Sequence, residues 1–161
     1  MRIIALAAAA ALVASAAVAA PASVHVSIGP AMEKKADKTY GVAEVDRLAA
    51  TLKRDVERRL GQSGALQDAR VELVLVDAQA NRPTMKQMSD RPGLSFSSFG
   101  VGGARIEGKV IAADGAVRPV SYAWYESDIH RAWGDSTWHD AEWTFDRFAS
   151  RLSRGQDLAS R

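Results

Sequence analysis

Apolar residues fall in two distinct rhythms along this chain. From Ser23 to Ile28 they alternate, with Val24, Val26 and Ile28 on one side and Ser23, His25 and Ser27 on the other, which predicts a half-buried strand. Gly29-Pro30 ends it, and the polar stretch from Met32 to Tyr40 reads as a loop. Between Val42 and Leu60 the period changes. Val45, Leu48, Ala49, Leu52, Val56 and Leu60 recur at three- and four-residue steps and make one apolar stripe, while Asp46, Lys53, Arg54, Glu57 and Arg58 fall off it. That is an amphipathic helix, stopped by Gly61 and Gly64. Arg70 to Val76 is almost continuously apolar, as in a central strand buried on both faces.

Asp77 to Pro92 is polar and irregular, with turn-prone Asn81-Arg82-Pro83 and Asp90-Arg91-Pro92. Leu94, Phe96 and Phe99 could add a short strand. Ile106–Ala112 and Val117–Tyr125 then flank Asp114-Gly115, a dipeptide favoured in tight two-residue turns. A register with Ala113 opposite Ala116 sets Lys109 against Val120 and Glu107 against Tyr122. Pro119 has no N–H to give, so its strand belongs at an edge or carries a bulge there. Ser136 or Thr137 caps a last helix whose stripe is Trp138, Ala141, Phe145, Phe148, Ala149 and Leu152. Asp140 and Glu142 occupy its first turn, where negative charge is favoured. The order strand, helix, strand, long loop, hairpin, helix packs most economically as an α+β fold. We expect a two-layer α/β sandwich, a mostly antiparallel sheet with two helices on one face. Residues 23–155 make one domain and 156–161 a frayed tail.

The first 22 residues read differently. Arg2 is the only charge before Glu33, and an alanine-rich apolar run with Ile3, Ile4, Leu6, Leu12 and Val13 follows it. Small residues then offer two cleavage patterns, Ala17-Val18-Ala19 and Ala20-Pro21-Ala22. This is the layout of a cleaved signal peptide, residues 1–22, and it makes the protein periplasmic or secreted. No later segment is apolar for long enough to span a bilayer.

The chain has no cysteine, which excludes disulfides, thiol catalysis, iron–sulfur clusters and a lipid anchor on a cysteine. Its 21 basic and 19 acidic side chains are interleaved. No dense basic patch of the kind that binds nucleic acid is present.

Candidate chemistry is sparse. Gly100-Val101-Gly102-Gly103 precedes a strand, whereas a phosphate-binding glycine loop must open a helix. Glu126, Asp128, His130, Asp135, His139 and Asp140 crowd one segment, but His130 and His139 lack any recognised metal-ligand spacing. No serine lies in a nucleophile-elbow motif. Paired-carboxylate hydrolysis stays open, because acids are many and their distances are invisible. No cofactor is implied.

Aromatic residues say more. Trp124 and Trp138 suit the core. Trp143 lies about 140° round the last helix from Trp138, at roughly 100° per residue. It either covers the rim, packs under the long loop, or stands exposed as a recognition residue. Met85, Met88, Leu94, Phe96 and Phe99 make the long loop too apolar for a solvated linker. We expect it to fold over the body with these side chains docked. With Trp143 and the turn of Glu126, Asp128 and His130, it would then form a recognition surface to which Arg82, Phe96 and Phe99 also belong.

Several of these segments resemble an uncharacterised family of small exported proteobacterial proteins. The similar segments are Asn81-Arg82-Pro83-Thr84, Arg91-Pro92-Gly93-Leu94-Ser95, Gly100-Val101-Gly102-Gly103-Ala104, Trp124-Tyr125-Glu126-Ser127-Asp128-Ile129, Trp138-His139-Asp140-Ala141 and Asp146-Arg147-Phe148-Ala149. The resemblance carries no assigned activity, so it transfers no functional residue. The expectation that follows is a binding or accessory module with an envelope protein or a small ligand as partner. The alternative is an envelope-acting hydrolase or metal-dependent enzyme.

Overall fold

The computed structural model describes residues 20–132 and 136–158. Most of the expected leader, with Trp133 and Asp135, lies outside them. Four strands form one sheet in the order β1 (Ser23–Ile28), β2 (Arg70–Gln79), β3 (Gly103–Ile111), β4 (Val117–Tyr125). β1 runs parallel to β2, and the other two pairs are antiparallel. The two long helices, α2 (Val42–Ser63) and α4 (His139–Ser153), pack side by side on one face. This is the expected α+β, mostly antiparallel arrangement.

The two stripes explain why. Val45, Leu52 and Val56 of α2 and Ala141, Phe145, Phe148, Ala149 and Leu152 of α4 are fully buried. They meet Val71, Leu73 and Leu75 of β2, Ala104 and Ile106 of β3, and Val120 of β4. The opposite face of the sheet is polar, with Glu72 ion-paired to Arg70 along its own strand and to Lys109 across on β3. β2 is therefore sealed on one face only. Glu72, Val74 and Val76 are half-buried, which corrects the expectation of a strand covered on both faces. A bulge between Leu75 and Asp77 carries β2 three residues past its expected end and turns Ala78 inward after Leu75.

The hairpin differs from expectation by one residue. Ile111 pairs with Val117 and Lys109 with Pro119. The Ala112 carbonyl accepts from the N–H of Gly115, which lies at φ +86°, so the connection is a three-residue loop with glycine in the left-handed region. The shift is decisive because side chains alternate. Pairing Val120 with Lys109 would have put Val120 and Tyr122 on the polar face, whereas the observed register sends Val120 into the core opposite Gly108.

β4 is an edge strand, one of the two placements that Pro119 allowed. The Ser121 N–H points outward and donates to the Leu158 carbonyl at 2.6 Å, so the missing N–H of Pro119, two residues earlier, also falls on the outer edge. Leu158 is itself buried. As far as Leu158, the segment after Gly155 is thus held against β4.

Two short helices were not anticipated. α1 (Pro30–Lys35), with Pro30 at its start, continues into a π-helical turn, Ala36–Tyr40, that ends at Gly41 (φ +97°). Its buried residues, Met32, Ala36 and Tyr40, stand four apart. α3 (Met85–Asp90) lies inside the long loop. No helix among the described residues is long and apolar enough to cross a membrane.

Candidate functional site

The long loop leaves β2 and returns to β3, and a buried polar knot holds its two ends. Asn81, 1% exposed, is the centre. Its backbone N–H donates to the Thr137 carbonyl (2.8 Å) and its carbonyl accepts from Gly100 (2.7 Å). Its side chain donates to Asp140 Oδ2 (2.5 Å) and the Gly100 carbonyl (3.3 Å), and accepts from the Asp140 N–H (3.0 Å). The Gly102 N–H adds a second bond to Asp140 Oδ2 (2.9 Å). Asp140 sits in the first turn of α4, where the helix dipole favours a carboxylate. Glycine is required at 102: a Cβ there would overlap Asn81 Oδ1 and stand 2.8 Å from the Gln79 carbonyl oxygen. The knot leaves no unsatisfied buried side-chain atom, which keeps a charged group in the interior tolerable.

Between these anchors the chain builds a groove. α3 carries a capping box: Thr84 Oγ1 accepts from the Gln87 N–H, and Gln87 Oε1 accepts from the Thr84 N–H at 3.0 Å. The following turns, from Arg91 to Gly100, double back beside it. The Arg82 Nη1 donates to the Phe96 carbonyl at 2.8 Å and staples these turns to the start of the loop. The open space between them is about 210 Å³, lined by Ala80, Asn81, Arg82, Pro83, Gln87, Arg91, Leu94, Ser98, Phe99 and Gly100.

The seven residues expected to form one recognition surface divide in two. Arg82 and Phe99 line the groove, and Phe96 stands on the loop that closes it, held through its carbonyl by Arg82. Trp143 and the turn at Glu126, Asp128 and His130 do not line it. Trp143 lies on the flank of α4, edge-on to Trp124 with ring centroids 4.4 Å apart, and beneath the Arg147 guanidinium, also at 4.4 Å. Trp124 is half-buried, and Trp138 is in the core against Tyr40.

The turn is organised by its own acids. Glu126 Oε1 accepts from the Ser127 and Asp128 N–H groups, and Asp128 caps the 3-10 turn Ile129–Arg131 by accepting from His130 N–H. That backbone bond, then the His130 ring, holds the Asp128 carboxyl below its ordinary range. His130 is almost fully exposed. Among the described residues no group of three or more histidines, aspartates and glutamates is placed to share an ion.

Of the apolar side chains of the loop, Met88 and Leu94 are half-buried and the other three are not docked. Met85 is 66% exposed, Phe96 70% and Phe99 43%. Gln87 and Ser98 are the site residues that sequence reasoning did not single out; Asn81 and Arg91 were read only as turn residues, and Asp140 only as a first-turn acid and a member of the acid- and histidine-rich segment. The Thr84-x-x-Gln87 spacing was the readable sign of α3.

A second polar cluster lies at the same end of the sheet, where β2, β3 and β4 meet the loop. Asp77, at the bulge, accepts from Lys35 (2.5 Å) and from the Tyr125 hydroxyl (2.8 Å). Burial, then the bond to Asp77, pushes the Tyr125 phenol up, so this tyrosine stays protonated and serves as a staple between β4 and β2. No protein-family model matches the chain, and no curated protein matches it.

Proposed function

We propose that the chain is an exported binding or accessory module, periplasmic or secreted and engaged in upkeep of the cell envelope, with the loop between Asn81 and Gly102 as its recognition surface. One observation carries this reading. The loop is tied at both ends by buried hydrogen bonds, yet it holds Met85, Phe96 and Phe99 out in water. Each such side chain left exposed forgoes about 1.5–3 kcal/mol of burial. A loop that is anchored, and not free to collapse, keeps those groups ready for a partner, and pre-organisation lowers the ordering cost of binding. The leader pattern supplies the compartment.

Photo-crosslinking in the exported protein tests the surface. A crosslinking side chain at Phe96 or Phe99 is expected to trap a discrete partner or ligand, and one at the equally exposed Val117, on the distant hairpin, to trap none. Equal crosslinking from all three positions, or none from the loop, overturns the reading. Mass spectrometry of the exported form is expected to show a start between Ala20 and Val24; a product that keeps Met1 removes the export half of the proposal.

A further inference from the structure

The groove under this loop is unusual in what it offers for hydrogen bonding. Gln87 Oε1 is occupied by the Thr84 N–H, which fixes the amide and leaves its NH2 group as the outward function. Ser98 Oγ accepts from the Ser95 N–H, so its hydroxyl proton remains to be given. The Asn81 carbonyl is taken by Gly100 and the Gly100 carbonyl by Asn81 Nδ2. Arg91 lines the groove, and its guanidinium makes no ion pair among the described residues. Arg82 is engaged within the loop, where it holds the Phe96 carbonyl. Among the described residues no acid lines the space. The Gln87, Asn81 and Gly100 oxygens are thus engaged inside the protein, while the Gln87 NH2, the Ser98 hydroxyl and the Arg91 guanidinium are donors carried by residues that line the groove. The remaining wall, Ala80, Pro83, Leu94 and Phe99, is apolar.

From this we infer that the groove takes a small organic anion, a carboxylate or phosphate monoester head joined to a short apolar arm. The head meets the Arg91 fork, the Gln87 amide and the Ser98 hydroxyl; guanidinium pairs with both kinds of oxyanion through two parallel bonds. The arm lies against Leu94 and Phe99. A space of about 210 Å³ is below the usual range for a drug-sized ligand, so it holds one end of a molecule or a compact whole one. The inference rests on the loop being the recognition surface and names what that surface recognises.

The test uses the mature protein, isotope-labelled, with four probes: hexanoate, phenyl phosphate, the neutral hexanol and inorganic phosphate. Saturable shifts of the Leu94, Ser98, Phe99 and Gly100 amides are expected with hexanoate or phenyl phosphate. The tighter of the two identifies the head group. Hexanol and inorganic phosphate are expected to bind at least tenfold more weakly, since each lacks half of the recognition. Arg91→Ala should weaken the anion about tenfold and Arg91→Lys less, with the fold unchanged because this side chain is exposed; Lys53→Ala on α2 should change nothing. Raising salt should weaken binding, as for any exposed cation. Three outcomes overturn the inference: no saturable shift at millimolar probe, hexanol binding as well as hexanoate, or Arg91→Ala binding as well as the parent. If crosslinks still form at Phe96 while no anion binds, the surface stands and only the ligand class falls. If both fail, both fall.

Discussion

Replacing Asn81 with alanine removes the centre of the knot and should be among the most damaging polar substitutions in the chain. The side chain makes three bonds, two of them to Asp140. The 2.5 Å bond to the carboxylate is charge-assisted, a type worth about 1.5–3 kcal/mol, and the bond from the Asp140 N–H about 1 kcal/mol. The truncation leaves a buried carboxylate with the Gly102 N–H as its remaining partner in the knot, a further desolvation cost. A loss of about 3 kcal/mol follows. For a domain of this size that corresponds to roughly 10 °C in Tm. Urea unfolding followed by tryptophan fluorescence measures it, with the slope m unchanged if both end states keep their compactness. The knot also ties both ends of the loop, so trypsin should cut after Lys86, the basic residue of the loop that no proline follows, faster than global unfolding allows. Asp140→Asn keeps the shape and loses only the charge, and should cost less than half as much. A loss below about 1 kcal/mol in Asn81→Ala, with tryptic cleavage no faster than in the parent, would refute the claim that the knot fixes the loop.

Three further expectations come from the body of the fold. Gly108→Ala should destabilise by more than about 3 kcal/mol, because its Cβ would overlap the Glu72 carbonyl oxygen and stand 2.9 Å from Leu73 Cα, forcing β3 away from β2; a parent-like urea midpoint would contradict this. Burial raises the Asp55 carboxyl above its ordinary range, against the pull of Arg58 and Arg54 and with Asp146 adding to the rise. Its folded pKa exceeds its unfolded one, so its contribution is most favourable below the ordinary carboxylate range and is lost as pH rises through the folded value. Asp55→Asn should therefore stabilise at pH 7 and gain little near pH 3, read from thermal unfolding at both. Ending the chain after Gly155 removes Leu158 from its buried site and the acceptor of Ser121 N–H, a loss of about 2–3 kcal/mol by the same urea assay.

The two long helices and the order of elements were legible because each rests on many positions that agree. Every residue of the α2 stripe from Val45 to Leu60, and of the α4 stripe from Trp138 to Leu152, is buried. The hairpin register depended on one choice, a two- or three-residue turn, and Asp114-Gly115 suits both. A burial check on Val120 and Tyr122 would have chosen between them. The helical path from Pro30 to Tyr40 was hidden by Glu33, Lys34, Lys35, Asp37 and Lys38, although Met32, Ala36 and Tyr40 already stood at helical spacing. The start of α4 also moved: it begins at His139 after Trp138, and neither Ser136 nor Thr137 provides its side-chain cap.

The site was less legible for a different reason. Asn81 reads as a turn residue and Asp140 as a first-turn acid, and each is that; their pairing joins positions 59 apart, which no local pattern can announce. The same limit explains the loop. Its apolar content predicted docking, because the hydrophobic effect is indifferent to which surface covers a side chain. Docking, however, requires a free path to the body, and the bonds at Asn81, Gly100 and Gly102, with the Arg82 staple on Phe96, hold the loop away from one. Strong polar geometry at a few buried atoms thus overrides a weak, non-directional preference of three exposed side chains. Phe96 on a fixed loop and Phe96 on a floppy one have the same composition and nearly the same exposure. They differ in what a partner must spend to order them, and that difference is set by residues buried beneath the surface the partner would touch.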